Sequence, residues 1–144
     1  LKAFDADDLQ VLSSLVQDSV FPAAEMRWRP RERRFAMLLN RFRWEDGHRA
    51  RREGRPFERV QSVLAFEDVT RVRSQGNVRD DPDMVLSLLS IGFEPGDDAG
   101  GEVFLTLAGD GAIALSVEAL EATLRDVTKP YAAPSGMSPD HGDL

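Results

Sequence analysis

The chain has 144 residues, 42% hydrophobic and 30% charged, the balance of one soluble globular domain and not of a disordered segment. Its zero cysteines exclude disulfides, thiolate metal sites and a cysteine nucleophile. The net charge of −7 is unevenly spread: residues 27–59 carry 12 arginines against 5 acidic residues, net +7, and the rest of the chain is net −14.

Residues 1–4 read as a short edge strand, and Asp5 fits a helix N-cap with Asp8 at the capping-box position. Leu9, Leu12, Val16 and Val20 give the apolar stripe of one helix, which Phe21 and Pro22 end. A hairpin follows, with Met26 and Trp28 on one side, a polar turn from Pro30 to Arg33, and inward alternation at Phe35, Met37 and Leu39. Near Asn40 the phase slips so that Phe42 and Trp44 become the apolar set, and a bulge there would account for it. Residues 45–56 hold no core-forming residue and two glycines, and read as a long exposed loop.

Residues 57–66 form a strand with Val60, Leu64 and Phe66 inward, and Val69 and Val72 mark a weaker one that breaks at Gln75-Gly76-Asn77. Beyond an acidic turn at 80–83, Val85, Leu89, Ile91 and Phe93 alternate on one face. Val103, Leu105 and Leu107 then pair with Ile113, Leu115 and Val117 as a hairpin turning at Gly109-Asp110-Gly111. The spacing of Val117, Leu120, Leu124 and Val127 predicts a helix over 117–128, with Leu120 and Leu124 buried and Pro130 just beyond it.

Residues 1–130 thus read as a single globular domain, and 131–144, rich in Pro, Gly, Ser and Asp, as a disordered tail. The expected fold class is α+β: a small antiparallel, curved or barrel-like sheet of about seven strands with an N-terminal helix and a closing C-terminal helix. That is the pleckstrin-homology-like plan, and a flatter sheet with both helices on one side is its alternative.

Catalytic chemistry is poorly supplied. No GxSxG elbow, HExxH helix or P-loop occurs. His48 beside Glu45 and Asp46, and Asp140, His141 and Asp143 in the tail, lack a supporting shell for a metal or a base. The expectation is no catalytic residue, no metal and no cofactor. The candidate binding residues are Arg27, Arg29, Arg31, Arg33 and Arg34 around the hairpin, continued by Arg49, Arg51, Arg52 and Arg55. The plainer reading of this strip is a solvated, ion-paired face, since the chain uses 16 Arg and only 2 Lys, as a GC-rich genome would.

Trp28, Phe35, Phe42 and Trp44 interleave with these arginines and would stack on unpaired bases if exposed, yet they also fit the core faces of their strands, which is the more economical use of them. A net negative chain argues against a general nucleic-acid binder. The reading is a non-enzymatic module presenting the arginine strip to an acidic protein partner, or self-associating. An RNA-contacting accessory protein is the alternative and an enzyme of unrecognised type the third. No apolar run approaches the ~20 residues of a membrane span, so no membrane partner is expected, and a cytoplasmic location is.

The region 9–20, RFAMLLNRFRWE at 34–45, and the run from VLSLLSIGFEPG to EALEATLRDV at 85–127 carry a resemblance that extends to about residue 130. In these segments the chain resembles DUF2948, an uncharacterised alphaproteobacterial family. The resemblance implies a bacterial cytoplasmic protein, and no activity, cofactor or catalytic residue comes with it.

Overall fold

The computed structural model describes residues 1–54, 58–76, 81–109 and 111–132. The chain enters through β1 (Lys2–Ala3) and helix α1 (Ala6–Val16). The Asp5 carboxylate caps α1, accepting the Asp8 N–H at 2.8 Å and so satisfying a donor that the first helical turn leaves open. Leu9, Leu12 and Val16 are its buried stripe, but Val20 is not on it. The helix ends at Gln17, Asp18 turns the chain at a φ of 63°, and β2 (Ser19–Pro22) begins. A single 3-10 turn (Ala23–Glu25) leads into β3 (Met26–Arg29), which forms the expected hairpin with β4 (Arg34–Phe42).

The bulge expected at Asn40 is absent. β4 pairs without a break against β5 (Glu58–Phe66), from Phe35 opposite Phe66 to Phe42 opposite Arg59. Alternation therefore continues through Phe35, Met37 and Leu39 to Arg41, which is buried on the same face. Phe42 is buried as well, with the Trp44 ring 4.7 Å away.

Residues 45–53, expected as loop, lie in helix α2 (Trp44–Glu53). Its support is electrostatic. Glu45 and Asp46 occupy the first turn, Arg51 and Arg52 the last, and Gly54 closes it in the left-handed conformation at a φ of 68°. An Arg49–Glu53 pair at i, i+4 adds to this. Ala50 is its one buried residue, so apolar periodicity carried no trace of it.

β6 (Val69–Gln75), β7 (Val85–Pro95), β8 (Gly101–Leu107) and β9 (Ala112–Val117) follow. β8 and β9 pair as the expected hairpin, with Gly109 at a φ of 77° and Asp110 outside the described residues. On β7 the inward residues are Leu86, Leu88 and Ile91, while Val85 and Leu89 face out. The register slips between Leu88 and Ser90, so the sheet does contain a phase change, on a strand where none was expected.

The C-terminal helix expected over 117–128 is also absent. Residues there form β10 (Ala122–Asp126), antiparallel to both β5 and β1. Leu120 and Leu124 are buried as expected, with Ala122 buried between them, and that period of two is a strand's. Tyr131–Ala132 forms β11 opposite Arg59 and Glu58, so the expected tail starts with a paired strand, and 133–144 lie outside the described residues.

The strands of the described residues form one antiparallel 11-stranded sheet, more than the seven or so expected, in the order β1-β10-β5-β4-β2-β7-β8-β9-β6, with β3 added to β4 and β11 to β5. The fold is α+β with an open sheet, and among the described residues no C-terminal helix plugs it. Helix α1 packs on β7 and β4, where Leu9 and Leu12 join Leu39, Leu64, Leu88 and Leu105 in the core. No helix among the described residues is long and apolar enough to cross a membrane.

Candidate anion-binding face

β3, β4, β5, β10 and β1 lie side by side, and their registers align residues far apart in sequence. Arg27 stands opposite Ala36, Ala36 opposite Ala65, Ala65 opposite Thr123, and Thr123 opposite Lys2. Paired residues point to the same face of a sheet, so these five form one outward row. With strands about 4.8 Å apart, Arg27 and Lys2 are roughly 19 Å from each other across a floor of small side chains. The next outward row sets Leu38 beside Val63 and Arg125. The result is a groove of about 600 Å³. Ala36, Val63, Ala65 and Thr123 make its floor, with Arg27, Arg29 and Arg34 on one rim and Lys2 and Arg125 on the other.

One carboxylate lies among these cations: both oxygens of Glu67 accept from the Arg34 Nε, at 2.8 and 2.9 Å. Among the described residues Lys2, Arg27, Arg29 and Arg125 make no ion pair. The groove is therefore positive on both rims and open to solvent.

The other candidate arginines are placed elsewhere. Arg31 stands exposed in the β3–β4 turn, and Arg33 pairs with Glu118 at 2.6 Å. Arg49 is held by Glu53 at 3.1 Å, and Arg51 and Arg52 stand exposed in the last turn of α2. β4 separates that helix from the hairpin turn by roughly 25 Å at 3.3 Å per residue. The strip read from the sequence is two surfaces. Arg55 lies outside the described residues.

The aromatic residues of the strip serve the fold. Phe35 and Phe42 are buried, Trp28 packs on the core, and the Trp44 Nε1–H donates to the Gln17 carbonyl at 2.9 Å. A family model described as a protein of unknown function (DUF2948) matches residues 1–141. The chain belongs to that family. No curated protein and no solved structure matches it.

This DUF2948 chain holds a second charged group, built around a guanidinium that is closed to solvent. The Arg41 guanidinium, 3% exposed, donates to Glu45 at 2.8 and 3.0 Å, to Asp126 at 3.1 Å and to Ser62 Oγ at 3.1 Å. Ser62 donates in turn to Asp126 at 2.7 Å. Burial pushes the Asp126 carboxyl up, but the Ser62 hydroxyl and the Arg41 charge outweigh it and the group ends below the usual range. Glu45 follows the same course, with Arg41 the chief opponent of burial. The network ties β4, β5, β10 and α2 together. No cluster of His, Cys, Asp and Glu suited to a metal occurs among the described residues, and His48 is exposed.

Sequence reasoning missed Lys2 and Arg125, because they reach the groove only through β10, which it read as helix. The outward phase of Thr123 and Arg125, alternating with buried Ala122 and Leu124, was the signal that could have found them.

Proposed function

We propose that this DUF2948 protein is a non-enzymatic binding module that takes an acidic protein segment on the outer face of β3, β4, β5, β10 and β1. The observation that carries this reading is the row from Arg27 to Lys2 with Arg125 in the row beside it, where register alone gathers cations from three parts of the chain over a smooth floor. Cations without carboxylate partners are solvated at little cost and are available to an anionic ligand.

RNA is the less favoured ligand for two physical reasons. Binding of unpaired bases relies on exposed aromatic faces, and the aromatics of the strip point into the fold or are covered. A long polyanion would also extend past the groove onto a chain of net charge −7, whereas a short acidic segment would not.

The test is fluorescence anisotropy with labelled hexaglutamate at ~50 and ~200 mM salt, a range over which binding by charge weakens. Wild type should bind more tightly at the lower salt, and R27S/R29S/R125S should lose about tenfold, the combined effect of three modest surface interactions. R49S/R51S/R52S, on α2, should bind as wild type does. Equal losses in the two variants, or tighter binding of oligouridylate than of hexaglutamate, would overturn the proposal.

A further inference from the structure

The outer face continues beyond the basic groove. β4 runs on from Ala36 through Leu38 to Asn40, and β5 from Ala65 through Val63 to Gln61, all in the outward phase. What changes is the neighbour of β4. β3 pairs with it from Arg34 to Met37, and β2 meets it only where Val20 stands opposite Asn40. Between them the 3-10 turn of Ala23–Glu25 diverts the chain, and Leu38 has no strand beside it on that edge.

The gap is a dent of about 290 Å³. Val20, Pro22, Leu38 and Val85 line it, with Asn40 and Gln61 alongside. Val85 is 66% exposed there, a large aliphatic group left to water. Among the described residues that line the dent, Glu25 carries the one carboxylate.

We infer that the acidic segment carries an aliphatic or aromatic residue that seats in this dent, two to four residues from its carboxylates. This deepens the reading of the basic face and rests on it. The spacing comes from the strand itself: Leu38 and Asn40 lie two and four residues past Ala36, about 7 and 13 Å, and an extended ligand has the same rise. Charge fixes the arrangement, because cations rim the groove and the Glu25 carboxylate repels an acid placed over the dent. A nucleic acid meets the same face badly, since its backbone would set a phosphate against Glu25. The ligand class is an extended peptide with acidic residues at one end and one apolar anchor at the other.

The experiment compares labelled Glu-Glu-Glu-Ser-Ser-Leu, its reverse Leu-Ser-Ser-Glu-Glu-Glu, and Glu-Glu-Glu-Ser-Ser-Ser on the wild-type chain at ~50 mM salt. One of the two leucine peptides should bind about tenfold tighter than the serine peptide, as burial of one leucine side chain implies. L38S/V85S should abolish that advantage and leave the serine peptide unaffected. V85S alone, at an exposed position that folding does not depend on, should reduce it. Equal binding of all three peptides overturns the anchor and leaves the basic-face reading standing. Failure of all three to bind overturns both, and an advantage that survives L38S/V85S places the leucine elsewhere and overturns the anchor.

Discussion

Arg41 shows how one charged side chain can tie a helix with little apolar surface to the edge of a packed sheet. It sits on the inward face of β4, and its partners come from β5, β10 and α2. Replacing it with methionine keeps most of the aliphatic bulk but takes the guanidinium from Ser62, Glu45 and Asp126, and leaves Asp126 only the Ser62 hydroxyl. The two carboxylates are 40% and 45% exposed and can rehydrate, so the cost should be about 2 kcal/mol, below that of breaking a fully buried pair. Urea denaturation at neutral pH measures it. The pH dependence has a definite sign. Both carboxyls are lowered in the fold, so their contribution is complete above the unfolded values and is lost as pH falls through the folded ones, below about pH 4. R41M should lose less stability than wild type between pH 5 and pH 3, both pH points being about one unit from the unfolded carboxylate values. Parallel pH curves would show that other carboxylates dominate acid unfolding. The phase slip expected near Asn40 made Phe42 the inward residue in place of Arg41, because a charge on an inward position breaks the apolar code. Only its partners, 4, 21 and 85 residues away along the chain, explain how it is tolerated there.

At the scale of elements, β10 and α2 were misread for opposite reasons. The stretch EALEATLRD is rich in helix formers, and helical spacing links Val117, Leu120 and Leu124. Pairing with β5 on one side and β1 on the other overrides that preference, and the same leucines are buried at a period of two. α2 buries only Ala50 and is held by its terminal charges and by Arg41, so there was almost no apolar pattern to read. β5, β8 and β9, and β4 as far as Leu39, were legible because each buries alternate residues on one face and leaves mostly polar or small ones on the other. Leu124→Ala tests β10. It removes a side chain that is buried and enclosed, and should cost about 2–4 kcal/mol through lost transfer energy and the cavity left behind. Denaturant titration would measure it, and a loss under about 1 kcal/mol would mean that Leu124 is not enclosed.

At the scale of the whole molecule the sheet is open, but its end strand β6 is tied back to the β3–β4 turn. The Val69 N–H, at the start of β6, donates to the Arg33 carbonyl at 2.9 Å, and the Arg33 side chain reaches Glu118 just past β9. No local pattern could have revealed this closure or the row from Arg27 to Lys2, since they arise from contacts between distant residues, Val69 with Arg33 in the one and Lys2 with Thr123 in the other. The closure separates two roles for arginine in one hairpin. Arg33 holds a φ of 57°, where a side chain is strained and glycine is not. Its ion pair is exposed on both sides, so screening leaves it little weight. Its backbone carbonyl, which any residue supplies, makes the contact to β6. Arg33→Gly should therefore melt at or above wild type, while Arg33→Ala, which loses the ion pair and keeps the strain, should melt below R33G. Since Arg33 lies off the basic groove, R33G should also bind hexaglutamate with unchanged affinity, in contrast to R27S/R29S/R125S. Thermal melts and anisotropy on the same protein samples check both statements. A melting point well below wild type for R33G would make the Glu118 pair the true closure, and weakened peptide binding would extend the anion-binding face over the turn.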